Sequence, residues 1–343
     1  MTTSANRSAT AVLADPALKV DGLCVDIRSM SGTVRAVDHV SFEAHRGETL
    51  ALLGESGCGK SMTATALVGL LEPVASVSAG TAHLGEVDLF SADRKTRRAL
   101  AGTELAIVFQ DALTALNPLY TVGTQLAEPF RIHQGLSVRE ARRKAVELME
   151  RVGIPQPESR LHDYPHQFSG GMRQRLLIAM AVALNPTVLI ADEPTTALDV
   201  TVQAQIMALL RDLRTEYHMA VVLITHDLAL VVEEADRVAV MYAGQIVETG
   251  PVAEVFANPA HPYTKGLLDS VPVSAVRGEA LASIGGAPPE LSAIPKGCVY
   301  QDRCPHVADI CVTTRPVLEG EHRRAACHFS DRAAGGTGGE HHE

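Results

Sequence analysis

A glycine-rich octapeptide, GESGCGKS, occupies residues 54–61. It carries Gly54, Gly59, Lys60 and Ser61 at the positions of the phosphate-binding pattern GxxxxGK[ST], between an apolar strand-like run and a helical run. Glycines let successive backbone N–H groups turn toward phosphate oxygens. Lys60 would reach the β- and γ-phosphates, and the Ser61 hydroxyl would ligate Mg²⁺. The residues of this loop that we expect to contact ATP are Gly54, Ser56, Gly57, Cys58, Gly59, Lys60, Ser61 and Met62.

A second chemical signal lies in TVLIADEP at residues 187–194, where an apolar strand ends in two adjacent acids. Such a strand presents carboxylates at its carboxyl edge, where α/β sheets bind ligands. Alone, an Asp-Glu pair in this position is more often a solvated turn or a helix cap. Beside a phosphate loop, we expect Asp192 to hold Mg²⁺ through water and Glu193 to polarise the attacking water.

Four further segments occur in a fixed order around the acidic pair. VFQDALTALNP contains Gln110, FSGGMRQR spans 168–175, PTTALD spans 194–199, and LITHDL contains His226. A lone histidine at a strand end is more often a satisfied structural residue, so His226 gains its significance from the neighbouring motifs. With the phosphate loop, these segments resemble the ABC ATPase family in both type and order.

The resemblance implies a mechanism that one chain cannot complete. Two ATPase domains pair head to tail, and the signature segment of one faces the γ-phosphate bound by the other. A Ser-Gly-Gly opening to a helix is itself a ready anion site. Within one chain, Gln110 completes the Mg²⁺ environment with Ser61 and Asp192 and senses the membrane partner, while His226 contacts the γ-phosphate. The residues implied on the partner-facing side are Ser169, Gly170, Gly171 and Asp199.

Two positions depart from the wider family. An aromatic residue near the first strand often stacks on adenine, but the matching place in LCVDIRS holds Ile27, and Phe42 lies too far along to replace it. Stacking is worth about 1 kcal/mol, so its loss would weaken ATP binding without abolishing it. Met172 stands where the superfamily usually has Gln. The sequence resembles peptide-importer ATPases in having Met at this position.

The elements that must position these residues follow an α/β pattern. Short apolar runs at Thr49–Leu53, Val188–Ala191 and Val221–Thr225 predict buried strands of a mostly parallel sheet. Val238–Tyr242 and Gln245–Glu248 predict an antiparallel hairpin at its end. We therefore expect an α/β fold: a P-loop ABC ATPase core with a helical insert and a small Cys-rich C-terminal module.

The predicted domain organisation has four parts. Residues 1–17 read as a disordered lead, residues 18–255 as the ATPase domain, residues 256–330 as a separate module, and the Gly-rich 331–343 as a flexible tail. Within the ATPase domain, about 112–184 is the helical insert. Its clearest helix runs from Ser137 to Val152, with Ser137 and Glu140 in capping-box spacing and Gly153 as its stop.

A closer resemblance, over nearly all of residues 20–330, is to the ATP-binding subunits of bacterial dipeptide and oligopeptide importers. The segments that carry it are QDALTALNPLYTVG, YPHQFSGGMRQR, ADEPTTALDVTVQAQI, VMYAGQIVETG, HPYTKGLL and the cysteine-bearing tail. It implies import of di- or oligopeptides, with nickel or another small solute as alternatives within the same subgroup. The implied partners are a second ATPase subunit (a paralogue), two transmembrane permease subunits, which contact the residues after Gln110, and indirectly an external substrate-binding protein.

Four of the six cysteines, Cys298, Cys304, Cys311 and Cys327, lie within about thirty residues. Clustered cysteines in a cytosolic chain favour a four-thiolate metal site over disulfides. Their gaps are wider than the pairs typical of zinc and match no ferredoxin run, so spacing leaves the metal open. Some members of the importer subgroup carry a [4Fe–4S] cluster here, and the resemblance therefore implies iron–sulfur, with zinc or no metal as alternatives. The isolated Cys24 and Cys58 read as a core residue and a loop filler.

Composition limits the remaining function classes. The chain has no tryptophan, only 4% aromatics and a formal charge of -10, which disfavours a nucleic-acid partner. The longest apolar run, Leu176 to Leu184, is too short to cross a membrane, so we expect the protein to stay in the cytosol. The importer resemblance implies that it is peripheral, at the cytoplasmic face of the cell membrane. The rival classes are a soluble ABC ATPase acting on nucleic acid or translation and a non-hydrolysing regulatory subunit; Glu193 and His226 argue against the second.

Overall fold

The computed structural model of the protein describes residues 15–30, 32–110, 115–196, 198–270 and 284–330. The predicted lead, apart from its last residues, and the predicted tail lie outside this range, as do the residues directly after Gln110. The strands are β1 (Leu18–Ser29), β2 (Gly32–Ala44), β3 (Thr49–Leu53), β4 (Ala75–Leu84), β5 (Val87–Asp88), β6 (Leu105–Val108), β7 (Val188–Asp192), β8 (Ala220–Thr225), β9 (Arg237–Tyr242), β10 (Gln245–Pro251) and β11 (Arg324–Ala325).

The helices alternate with the strands of the core and cluster between β6 and β7. They are α1 (Lys60–Leu67), α2 (Arg94–Leu100), α3 (Val122–His133), α4 (Val138–Arg151), α5 (Pro157–Arg160), α6 (Gly170–Val182), α7 (Val200–Tyr217), α8 (Leu228–Glu234), α9 (Val252–Ala257), α10 (Pro262–Asp269) and α11 (Asp309–Thr313). In the described part of the chain, no helix is both long and apolar enough to cross a membrane.

The central sheet has the strand order β11-β10-β9-β3-β8-β7-β6. Its middle strands β9, β3, β8, β7 and β6 are parallel, and β3, β7 and β8 are buried along their whole length. The three predicted strands are confirmed. They could be recognised because strands buried on both faces are continuous apolar runs. The predicted hairpin is also confirmed: β9 and β10 are antiparallel, and Ala243 and Gly244 join them at φ 46° and 82°, the two positive φ values of a tight hairpin turn.

A second, antiparallel sheet with the order β2-β1-β4-β5 lies against the first. Its inward residues, such as Leu18 and Val37, share one core with Leu50 and Leu52 of β3 and with Leu67 of α1. The sequence analysis did not predict this sheet. The pairing of β1 with β2 shifts register at several places after Val20, and these irregularities interrupt the period-2 alternation by which a half-buried strand is recognised.

Between β6 and β7 the chain is helical, with α3, α4 and α6 packed around a common apolar core. The predicted capping box is present: the Ser137 hydroxyl accepts from the N–H of Glu140, and the Glu140 carboxylate accepts from the N–H of Ser137 at 3.0 Å. Gly153, at φ 74°, follows the end of the helix. One face of this helix is buried and carries Ala141, Ala145, Leu148 and Met149. The outer limits of the helical insert stay predictions.

We expect Ser137→Ala to lower the free energy of unfolding by about 1 kcal/mol, because the first-turn N–H groups of α4 lose their cap. Urea denaturation at neutral pH measures this effect. Ser137→Thr keeps the hydroxyl and is the matched control, with a much smaller loss. Equal stabilities of the Ala variant and the wild type would mean that solvent satisfies this helix end equally well.

The described residues of the C-terminal segment (256–330) pack onto the central sheet. Tyr263, Cys298 and Tyr300 share a core with Leu53 and Tyr242, and β11 pairs with β10. The fully buried Glu248 of β10 accepts hydrogen bonds from the N–H groups of Ala260 and His261, at 2.8 and 2.9 Å. The sequence predicted residues 256–330 as a separate module, and these bounds stay a prediction; composition does not reveal the contacts with the sheet.

Candidate functional site

The phosphate loop runs from the end of β3 to the start of α1. At Gly54 a Cβ atom would lie 2.2 Å from the carbonyl oxygen of Met241, so only glycine fits there. Gly59 directly precedes the helix and has φ 105°. Residues other than glycine rarely adopt this conformation. The free N–H groups of the first turn of α1 therefore point toward the loop, together with the positive end of the helix dipole. The local geometry is that of an anion site.

Lys60 places its ammonium group inside this loop. Its Nζ donates to the carbonyl oxygens of Gly54 and Glu55, at 2.7 and 2.9 Å, and only 5% of the residue is exposed. The neighbouring Cys58 is buried in the core, and burial raises the pKa of its thiol. A neutral, buried thiol offers the nucleotide no side-chain chemistry, so any contribution of Cys58 is through its backbone.

The acid at the end of β7 lies against the start of α1. The Ser61 hydroxyl donates to Oδ1 of Asp192 at 3.1 Å. This hydrogen bond joins the phosphate loop to the acidic pair. Burial raises the pKa of Asp192, the hydrogen bond from Ser61 partly offsets that effect, and Glu193 adds to it. A hydroxyl and a carboxylate side by side are hard oxygen donors, as Mg²⁺ prefers, and Mg²⁺ keeps several waters when few protein ligands are present. These residues therefore fit Mg²⁺.

Glu193 is the most highly connected acid of the site. Its Oε2 accepts from Gln110 Nε2 and from the Thr196 hydroxyl, both at 2.8 Å, and its Oε1 lies 2.9 Å from His226 Nδ1. Burial alone would raise the pKa of Glu193, but the hydrogen bonds from His226 and Thr196 outweigh it and hold that pKa below its usual range. The carboxylate is thus ionised at neutral pH, as a residue that polarises water must be.

The backbone of Glu193 is itself unusual, with φ 46°. Positive φ is uncommon for a residue with a side chain and costs of order 1 kcal/mol or more. The N–H of Glu193 donates to the carbonyl of Ile224 on β8, at 2.9 Å, which anchors the turn to the adjacent strand. The turn lets the two adjacent acids face different partners: Asp192 accepts from Ser61, and Glu193 lies beside His226.

Most of these groups line one open cleft of about 720 Å³, but Asp192 and Cys58 are not among its lining residues. Ile27 lines it, at the place where the family resemblance implied adenine, while Phe42 is 3% exposed in the core and is not among the lining residues. The residues from the sequence analysis that line the cleft are Gly54, Ser56, Gly57, Gly59, Lys60, Ser61, Met62, Gln110, Glu193 and His226.

Sequence reasoning did not assign six further lining residues to the cleft: Ala36, Leu53, Glu55, Thr196, Leu267 and Leu291. Thr196 lies three residues after Glu193, and its hydroxyl reaches back to the carboxylate because the intervening residues turn. That spacing was a usable signal. Leu267 and Leu291 come from the C-terminal segment. No local pattern links them to the phosphate loop, which lies more than two hundred residues earlier.

The signature residues lie elsewhere. Ser169 caps α6, and its hydroxyl accepts from the N–H of Met172 at 3.4 Å. The carboxylate of Asp199 caps α7 through the N–H of Val202 at 3.0 Å, and Gly171 abuts Val202 so closely that a Cβ would lie 2.6 Å from it. None of the four predicted partner-facing residues is among the residues that line the cleft of their own chain. One chain therefore does not bring the two halves of the predicted site together.

The four clustered cysteines line a second cavity, of about 340 Å³. All four are free thiols, and burial raises the pKa of Cys298 to about 11. Among the described residues, no three of the four sulfur atoms lie within 4.8 Å of one another. Further side chains lining this cavity are His261, Tyr300, His306, His328 and Phe329.

Two family models match the chain. One, described as ABC transporter, covers residues 37–196, and the other, described as the C-terminal region of oligopeptide/dipeptide transporters, covers residues 247–311. The first match spans the phosphate loop, the signature segment and the acidic pair. The second spans the segment with HPYT and the first three of the clustered cysteines.

Similar curated proteins cover nearly the whole chain. The dipeptide transport ATP-binding protein DppD of Escherichia coli (strain K12) is 48% identical over 314 residues, which are 91% of this chain and 96% of that protein. Its namesake in Bacillus subtilis (strain 168) is 46% identical over 320 residues, 92% of this chain and 96% of that protein. The likeness thus includes the C-terminal segment as well as the ATPase core.

Solved structures match the core of the fold. A dimeric bacterial ABC transporter cassette is 26% identical, with a TM-score of 0.61, and the match covers 68% of this chain and 98% of that one. A post-hydrolysis state bound to ADP and Pi matches to the same extent. The protein cbiO1 of Clostridium perfringens, part of the transporter complex cbiONQ, is 30% identical, with a TM-score of 0.60, over 71% of this chain and 92% of that one.

Proposed function

Because the chain belongs to the ABC transporter family, in its dipeptide and oligopeptide importer branch, we propose that it is the ATP-hydrolysing subunit that powers peptide import. The observation that carries the hydrolytic part is Glu193, ionised and held by Gln110, Thr196 and His226 at the edge of the phosphate-loop cleft. A chain that only bound nucleotide would have no need for such an arrangement.

The proposed ATP site uses each group according to its chemistry. The loop N–H groups and Lys60 bind the phosphates, with Lys60 exchanging its present carbonyl partners for phosphate oxygens. Ser61, Asp192 and Gln110 would hold Mg²⁺, which would neutralise phosphate charge. Glu193 takes the proton of the attacking water, and His226 supports the γ-phosphate. The oxygen of that water would form a bond to the γ-phosphorus while the bond from the bridging oxygen to the γ-phosphorus breaks, which leaves ADP and phosphate.

The active form proposed here is a pair of ATPase subunits, with the second a paralogue of this chain. Its support is the position of Ser169, Gly170, Gly171 and Asp199 at helix starts away from their own cleft. The N-terminus of α6 is the kind of helix start at which phosphate oxygens bind. We further propose that two transmembrane permease subunits hold the pair at the cytoplasmic face of the membrane, and that an external substrate-binding protein delivers the cargo.

Peptide cargo is supported by the match of residues 247–311 to the oligopeptide/dipeptide transporter region and by the names of the relatives. Nickel or another small solute is the alternative from the same subgroup. The test is reconstitution of the chain with its permease and binding protein in vesicles. We expect di- or oligopeptides to stimulate ATP hydrolysis several-fold and to enter the vesicles. Stimulation by Ni²⁺ alone would assign the other cargo, and turnover indifferent to the permease would contradict a transport role.

We also propose that Cys298, Cys304, Cys311 and Cys327 hold a [4Fe–4S] cluster. A single zinc ion, with Zn–S near 2.3 Å, needs sulfurs about 3.8 Å apart, whereas no three of these sulfurs, all within the described part of the chain, lie within 4.8 Å of one another. The four thiols line one cavity of about 340 Å³, which supports a metal group that they share. Bound there, the cluster would cross-link a segment with few core residues of its own.

A further inference from the structure

The phosphate loop is tied to the C-terminal segment through one residue, Glu55. Its backbone N–H donates to the Tyr263 hydroxyl at 3.0 Å. Its carboxylate accepts from Nη1 and Nη2 of Arg303, at 2.8 and 3.1 Å. Glu55 is thus held at both its backbone and its side chain by residues more than two hundred positions away, and none of the roles assigned above accounts for these contacts.

Arg303 is fixed on several sides. Its side chain is 4% exposed, and its Nε donates to the carbonyl of Gly285 at 2.8 Å. The guanidinium also lies over the ring of Tyr242, 5.7 Å from the ring centre. A two-point arginine–carboxylate pair of this kind is directional as well as charged. Since the partner of Glu55 is buried and held in place, it constrains the loop more than a mobile surface ion pair would.

The constraint reaches the groups that bind phosphate. The carbonyl of Glu55 is one of the two carbonyls that hold the ammonium of Lys60, and that same carbonyl accepts from the N–H of Cys58 at 3.4 Å. A shift of Glu55 would therefore move both the lysine and the loop N–H groups. A loop that is already ordered loses less conformational entropy when its ligand binds, so the same contacts give a higher affinity.

We propose that Arg303 and Tyr263 are positioning residues through which the C-terminal segment sets the ATP affinity of the phosphate loop. The proposal rests on the assignment of this loop to ATP, and it is independent of the cargo. Leu267 and Leu291 of the same segment also line the nucleotide cleft. The segment is then part of the ATP site, in addition to any role in holding a metal cluster.

The test is binding of a fluorescent ATP analogue to the full-length chain, together with KM and kcat for ATP. Arg303→Met is expected to raise the Kd and KM for ATP about tenfold, the scale for losing a charged two-point pair, with little change in kcat at saturating ATP. Arg303→Lys is expected to restore part of the affinity. Tyr263→Phe, which is isosteric and leaves the N–H of Glu55 without its acceptor, is expected to act in the same direction and serves if the Arg303 variants do not fold.

Arg315→Met is the matched control. Arg315 also joins the C-terminal segment to the ATPase core, through Asp38 at 2.8 Å, but it does not contact the phosphate loop. Its removal should leave the Kd for ATP within about twofold of wild type, as is usual for a partly exposed pair. The proposal would be overturned if Arg303→Met and Arg315→Met changed the Kd for ATP equally. It would also be overturned if the effects of Glu55→Gln and Arg303→Met on the Kd for ATP were additive in the double variant. Absence of ATP binding by the wild type would instead refute the nucleotide assignment.

Discussion

Glu193→Gln is expected to lower kcat for ATP hydrolysis by about 100-fold or more, the usual contribution of a positioned general base. The amide is nearly isosteric with the carboxylate, so the turn at Glu193 and the β7 strand before it should be retained. What is lost is the negative charge, and with it the ability to accept the proton of the attacking water. The measurement is steady-state phosphate release at saturating ATP and Mg²⁺ by the chain assembled with its proposed partner ATPase subunit.

Binding of ATP should survive this change, because the loop and Lys60 remain. The Kd for ATP should stay within a few-fold of wild type, and an ATP-bound pair of subunits should accumulate. Glu233→Gln removes an exposed acid from α8 and is the matched control, with unchanged turnover. Hydrolysis at the wild-type rate in the Glu193 variant would refute its assignment as the base, and loss of ATP binding would assign Glu193 to the binding step.

Anaerobically purified protein is expected to be brown and to contain about four iron atoms per chain, the content of one [4Fe–4S] cluster. Cys304→Ser should lower the iron content to near zero, because the cluster loses one of its four thiolate ligands. Iron and acid-labile sulfide assays, with the visible absorption spectrum, measure this result without reference to ATPase activity.

Cys24→Ala is the control for the cysteine prediction. Cys24 is fully buried in the antiparallel sheet, and its sulfur lies 3.6 Å from the carbonyl of Gly22. Its replacement should leave the iron content unchanged. Stoichiometric zinc with no iron in the wild-type protein would reject the cluster in favour of the alternative metal, and a metal-free protein with four reduced thiols would reject both.

Features made by neighbouring residues could be predicted well from the sequence. The phosphate loop needs only glycines, Lys60 and Ser61 in one short stretch, because its ligand is bound mainly by consecutive backbone groups. The helix that begins after Ser137 could be predicted equally well, because its capping box joins residues only three positions apart. The buried strands β3, β7 and β8 were recognisable because strands covered on both faces are continuous apolar runs.

Features made by distant residues could not be predicted in this way. The interrupted alternation of β1 concealed the antiparallel sheet, and a Pro- and Gly-rich composition concealed the packing of the C-terminal segment on β9 and β10. Motif order implied that Ser169 and Asp199 serve another chain, but only the structure shows that they do not line their own cleft.

The chemistry of the ATP site was therefore determined by the sequence itself, through local motifs whose spacing places each functional group. The tertiary structure alone decided what supports that chemistry: the hydrogen bonds of Gln110 and His226 to Glu193, and the anchoring of Glu55 by Tyr263 and Arg303. The reason is physical. A contact between side chains far apart in sequence depends on how whole elements pack, and such packing has no periodic signature along the chain.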